Sequence, residues 1–197
     1  MLSMQGLMYN GLKKTFFQFL LLITVIIYSN SVQGQNDTRF KSVGAVAGYG
    51  IDIYKDFKYN PIFFIGDFSW QFGSNAKKHF LSYYLQPQVN LVITDTPLDI
   101  EFGTNIGIRY YQKLNEKFYL YQMIGSGPHF ITGEVSRQAK GFIFSDNIGV
   151  GVLHQINKQD LFINFQAQFR HVSNAGLKRP NGGINTYNFL IGVSKLK

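Results

Sequence analysis

The stretch Phe165–Ile184, FQAQFRHVSNAGLKRPNGGI, holds the pattern on which the reading of the whole chain turns. Phe165, Ala167, Phe169, His171 and Ser173 occupy alternate positions, and Asn164, Gln166, Gln168 and Arg170 fill the gaps between them. Successive side chains of a β-strand point to opposite faces, so this is a strand with one apolar and one polar face. It breaks at a basic turn rich in Gly, Pro and Asn, and a second alternating run begins. His171 and Ser173 finish the apolar face, where a base and a hydroxyl are out of place unless they act on something apolar.

The same period recurs along the chain. Val43, Ala45, Ala47, Tyr49, Ile51 and Ile53 share a face; Ile62, Phe64, Phe68, Trp70 and Phe72 follow, then Leu81, Tyr83, Leu85, Val89 and Leu91. Leu98, Ile100, Phe102, Ile106, Ile108 and Tyr110 form a fourth face, opposite Asp99, Glu101, Gly103, Asn105, Gly107 and Arg109. Segments near 117–130 and 141–154 alternate less cleanly, although Phe142, Phe144, Ile148, Val150 and Val152 keep one parity. After the 165–173 run, Tyr187, Phe189, Ile191 and Val193 close an eighth segment. Each segment is long enough to cross a bilayer as a tilted strand, which takes about 9–11 residues.

Eight such segments predict an all-β fold: an eight-stranded antiparallel transmembrane β-barrel over residues 35–197. The polar faces mix Gln, Asn, Ser, Gly and a few charges, which suits a lumen filled by side chains. The apolar faces are heavy in Phe, Tyr, Leu and Ile, which suits lipid. A soluble lipocalin-like barrel is the alternative that also alternates. Residues 1–34 read as a cleaved signal peptide: Lys13 and Lys14, an apolar run Phe16–Tyr28, then small residues ending at Gly34.

Composition agrees. Aromatics reach 16 % and charged residues only 15 %, against about 25 % in an ordinary soluble domain. The absence of cysteine excludes thiolate metal sites and cysteine nucleophiles. The formal charge of +8 falls by two to +6 once Lys13 and Lys14 leave with the signal. A modest positive balance suits anionic lipid head groups; nucleic-acid binding has no support beyond that charge. No His, Asp and Glu cluster has metal-ligand spacing, so no metal or cofactor is expected. Ser145, Asp146 and His154 are triad-like in type only, because Ser145 and His154 differ in parity. Arg109 and Glu101, sharing an inward face, are expected to pair within the lumen.

Barrel topology puts both chain ends on the periplasmic side, so His171 and Ser173 fall at the outer rim, and Asn185 shares the outward parity of Tyr187. Serine needs an adjacent base to act as a nucleophile, and the base needs a third group to fix its tautomer. On spacing alone His-x-Ser also describes ordinary rim residues. Its setting narrows the choice. His171-Val172-Ser173-Asn174-Ala175-Gly176, followed by Pro180-Asn181 and Gly183-Ile184, resembles the signature of the lipid A deacylase (PagL) family of small outer-membrane barrels. The resemblance implies an esterase that removes the ester-linked 3-hydroxyacyl chain of lipid A. It implies Ser173 as nucleophile, His171 as base, and the Asn174 side chain with the Gly176 N–H as oxyanion donors. Lys178 and Arg179 would meet the phosphates of lipopolysaccharide.

One position departs from the family. Asn185 stands where the better-known members carry Glu, so the third group orients the imidazole without bringing a charge. A retained but inactive motif, on a barrel with a structural or surface-binding role, is therefore the alternative function. A homodimer is compatible with either reading.

Overall fold

The computed structural model describes residues 41–73, 78–95, 98–157 and 159–196; the expected signal peptide at 1–34 lies outside them. Eight strands follow one another: β1 (Lys41–Asp52), β2 (Tyr59–Gln71), β3 (His79–Thr94), β4 (Asp99–Asn115), β5 (Phe118–Ile131), β6 (Gly141–Gln155), β7 (Leu161–Ser173) and β8 (Ile184–Leu196). Each pairs antiparallel with its sequence neighbours, and β1 pairs with β8 to close the barrel. Closure matters because hydrocarbon offers no partner to a free sheet edge. Strands of 12 to 17 residues exceed the bilayer requirement. No helix among the described residues is long and apolar enough to cross a membrane, and the strands do that work.

The two faces sort as alternation predicts. Val43, Phe64, Leu81, Val89, Phe102, Ile124, Ile148, Phe165 and Phe189 are exposed on the outer wall, while Asp67, Gln86, Asn90, Glu101, Arg109, Asn164, Gln166 and Arg170 are buried inside. Outward aromatics gather in two bands. One, near the end that holds the paired Ser42 and Leu196, stacks Trp70 on Tyr83 at 5.3 Å and Phe68 on Trp70 at 6.2 Å. The other, toward the opposite end, pairs Phe102 with Phe130 at 5.5 Å and Phe142 with Phe144 at 5.0 Å. Such girdles mark the two membrane–water interfaces of a barrel.

The lumen is packed. Tyr84 lies over Gly125, where an added Cβ would fall 2.1 Å from its hydroxyl, and Tyr121 lies over Gly151, where a Cβ would fall 2.2 Å from its ring. The glycines of the polar faces thus make room for inward tyrosines. Arg109 sits 4.6 Å from the Tyr84 ring centroid and 4.9 Å from that of Tyr121. Its guanidinium donates to Asp67 Oδ1 at 2.7 Å and Oδ2 at 3.2 Å, and Asp67 also accepts from Gln86, Asn164 and Gln166. Glu101 forms a second centre, accepting from Arg170, from Asn90 at 3.1 Å and from the Tyr59 hydroxyl at 2.5 Å, with His129 Nδ1 at 2.6 Å.

The expected Arg109–Glu101 pair does not form. Eight residues along one strand separate the two by about 26 Å at ~3.3 Å per residue, so each takes its partner from across the lumen. Both pairs are nearly inaccessible to solvent. Removing one member of a buried pair leaves an uncompensated charge and costs about 3–5 kcal/mol. Asp67→Asn should therefore lower the urea midpoint of the barrel in lipid vesicles, and combining it with Arg109→Gln should restore much of the loss; equal midpoints for wild type and the single variant would show that the pair does not hold the lumen.

Candidate functional site

His171 and Ser173 lie on the outward face of β7, at the end of the barrel opposite Lys41 and Leu196. Their alternate neighbours Arg170 and Val172 are buried inside. Opposite His171 on β8 stands Asn185, its direct register partner, with the outward parity of the exposed Tyr187 and Phe189. His171, Ser173 and Asn185, expected to share the outer wall, all have outward parity, and of the three His171 and Asn185 are bonded to each other.

Asn185 Oδ1 is 2.6 Å from His171 Nδ1. An amide oxygen only accepts, so Nδ1 carries the proton and Nε2 is left with its lone pair as the acceptor. Asn185 is held in turn: its Nδ2 donates to the Tyr54 hydroxyl at 2.9 Å. Tyr54 stacks on Phe57 with centroids 5.0 Å apart, and the Arg137 guanidinium lies 4.4 Å from the Tyr54 ring centroid. Tyr54 and Arg137 were not legible as site residues, because they come from the 53–58 and 132–140 connections, far from the motif in sequence.

Gly183 supplies the floor beneath the imidazole. Its φ is +67°, a region that favours glycine, and an added Cβ would lie 2.5 Å from His171 Cε1 and 3.1 Å from Nε2. Ser173 is half-buried beside it and faces Phe144 across the β6–β7 ladder. Its hydroxyl makes no side-chain hydrogen bond among the described residues. Catalytic hydrogen bonds of this kind commonly tighten only when substrate is bound.

Asn174 organises the turn that follows. It is buried, its Nδ2 donates to Lys178 O at 2.7 Å, its Oδ1 accepts from Gly176 N–H at 3.1 Å, and its own N–H donates to Asn181 Oδ1 at 2.9 Å. Ala175 and Gly176, with φ of +51° and +79°, complete the reversal. The Gly176 N–H is thus spent within the turn, a commitment that spacing did not reveal, while Asn174 Nδ2 keeps one hydrogen without a partner. The 174–183 loop docks on the 132–140 loop: Ala139 N–H donates to Pro180 O at 2.9 Å, Gly182 N–H to Arg137 O at 2.7 Å, and Arg137 Nη2 to Gly182 O at 3.1 Å. Lys178 and Arg179 are exposed on this loop. No group of His, Asp and Glu able to hold a metal occurs among the described residues. Ser145 points into the lumen and bonds Arg170 at 2.8 Å, so it takes no part in any outer-wall arrangement with His154.

A family model described as "Lipid A 3-O-deacylase (PagL)" matches residues 57–194. The chain belongs to this family. Among solved structures, the crystal structure of the outer membrane enzyme PagL is similar at a TM-score of 0.54 and 20 % identity, covering 77 % of this chain and 97 % of that one. The outer membrane protein OprG from Pseudomonas aeruginosa follows at a TM-score of 0.47 and 13 % identity, covering 85 % and 99 %. No curated protein matches the sequence significantly. The PagL-type barrel is a fold of the bacterial outer membrane.

Below the site runs an outward groove of about 740 Å³. Phe169, Ile148, Ile124 and Ile108 line it in the row next to His171, with Ala167, Val150 and Tyr187 alongside. Its walls are almost wholly apolar. Gly183→Ala should push the imidazole off its floor and break the Nδ1–Asn185 bond without unfolding the barrel; the His171 ring resonances in NMR spectra of the micelle-bound protein should shift, and unchanged resonances would show that the glycine does not position the ring.

Proposed function

We propose that this barrel is a lipid A 3-O-deacylase, a serine esterase acting on the ester-linked 3-hydroxyacyl chain of lipid A in the outer leaflet. The observation that carries this reading is the joint placement of the His171–Asn185 bond and the apolar groove on the lipid-facing wall. Membership of the PagL family supplies the reaction class.

The site performs the reaction in two halves. His171 Nε2 takes the proton of Ser173 Oγ as the oxygen attacks the ester carbonyl, and the Oγ–carbonyl bond forms. The oxyanion is met by the free hydrogen of Asn174 Nδ2. Because the Gly176 N–H already serves Asn174 Oδ1, its part as a second donor requires that bond to yield on substrate binding. The tetrahedral intermediate collapses, the sugar oxygen leaves with the proton from His171, and the acyl group remains on Ser173. Water then repeats the sequence, with His171 again as base, and releases the hydroxy fatty acid.

The surroundings suit this substrate. The groove next to His171 suits an acyl chain lying along the barrel wall, and the Phe142–Phe144 band beside Ser173 supports a site at the interface where sugar esters sit. Exposed Lys178 and Arg179 pair with phosphate above it. With termini on the periplasmic side, this end of the barrel faces the outer leaflet.

Ser173→Ala should abolish deacylation while the folded barrel persists: mass spectra of lipid A from cells producing wild type should lose one hydroxyacyl mass, and those from the variant should not. Identical lipid A with and without the wild-type protein would favour the structural-barrel alternative. Ala167→Phe narrows the groove and should shift chain preference, cutting turnover of long-chain esters by about tenfold or more relative to short-chain ones in micellar assays; an unchanged ratio would remove the groove from the account.

A further inference from the structure

One carboxylate among the described strand residues points outward: Asp146, on β6. Its strand neighbours of the same parity are Phe142, Phe144, Ile148 and Val150. Every other strand carboxylate, Asp52, Asp67, Asp99 and Glu101, has inward parity. An ionisable side chain on a lipid-facing wall is expensive and calls for a role.

Register supplies one. Asp146 is the direct cross-strand partner of His171, and such pairs have Cβ atoms about 4.5–5.5 Å apart. Asn185 is the partner on the other side. The imidazole therefore stands between an amide on β8 and a carboxylate on β6. Asp146 is itself held by the hydroxyl of Ser126, its partner on β5, which donates to Oδ1 at 2.6 Å. Ser126, Asp146, His171 and Asn185 thus form one polar row across four adjacent strands. Oδ2 of Asp146 has no hydrogen-bond partner among the described residues.

We propose that Asp146 supplies the negative charge that Asn185 cannot, stabilising the imidazolium formed when His171 takes the serine proton. Asn185 fixes the tautomer through Nδ1, and Asp146 acts through space on the charge. The two duties of a triad carboxylate are divided between two strands. An opposite charge within about 4–6 Å favours the ionised form of a base, and a lipid-facing setting screens that attraction less than water does. Asp146 is a positioning residue in this scheme, since it works through His171. The inference rests on the deacylase reading.

The other groups facing His171 limit the competing explanations. On β7 they are Phe169 and Ser173, on β8 Asn185 and Tyr187, and from the connections Tyr54 and Gly183; the cations nearby are Arg137, which lies over the Tyr54 ring, and the exposed Lys178 and Arg179 of the adjoining loop. Asp146 is the one acid in the set.

The test is a double-mutant cycle with Asp146→Asn and Asn185→Glu on purified barrel in lipid A micelles. In the Asn185 background, D146N should lower kcat about tenfold or more and leave KM within about twofold. In the N185E background, where a carboxylate sits on Nδ1, the same change should lower kcat less than about threefold. Equal losses in both backgrounds, or a change confined to KM, would overturn the proposal in favour of a packing or substrate-contact role. A second measurement does not depend on lipid A turnover. The rate at which a long-chain fluorophosphonate labels Ser173 of the folded micelle-bound protein should fall about fivefold or more in D146N, and an unmoved rate would overturn the proposal. Absence of any wild-type lipid A deacylation sinks the enzymatic reading separately and leaves the labelling rate to decide the coupling.

Discussion

The closed hydrogen-bond ladder from β1 round to β8 is the constraint on which everything else rests. Lipid satisfies no backbone N–H or C=O, so a spanning sheet must pair both edges of every strand. Once it does, parity assigns each side chain to lumen or lipid with no intermediate choice. A shift of one residue in β7 would exchange the buried Arg170 with His171, stranding a guanidinium in hydrocarbon and burying the imidazole. Register here fixes stability and chemistry at once.

The inside of the cylinder explains how so polar a set is tolerated. Asp67 and Glu101 each gather several donors, and the tyrosines over Gly125 and Gly151 fill the remaining space. The wall that this network stiffens carries the site. A base bonded to Asn185 of β8, which is itself braced by the Tyr54 hydroxyl of a connecting segment, and set on a glycine floor keeps its geometry at a surface where lipid supplies no polar support. The loops at that end add to it, since the 132–140 and 174–183 segments bond to each other and bring Arg137 over Tyr54.

Most of the barrel was legible from alternation because a period of two is read directly from side-chain type. The parity of Phe169, His171, Ser173 and Asn185 sufficed to put the motif outside. Partners across the sheet were not legible, since period says nothing about which residues on different strands lie level. That is why the expected Arg109–Glu101 pair does not form, and why Asp146, grouped by type with Ser145 and His154, was not linked to His171 although it interrupts the apolar even positions from Phe142 to Val152 of β6. The commitment of Gly176 to Asn174, and the parts of Tyr54 and Arg137, likewise depend on loop conformations that residue spacing does not encode.

The central claim is that Ser173 is a nucleophile activated by His171 on the lipid-facing wall. A long-chain fluorophosphonate, presented to the folded protein in lipopolysaccharide-containing vesicles and followed by peptide mass spectrometry, tests it most directly. The account predicts a single adduct on Ser173, lost when His171 is replaced by alanine or the barrel is unfolded in urea. No adduct in the folded wild type, or one that forms equally well without His171, would contradict it.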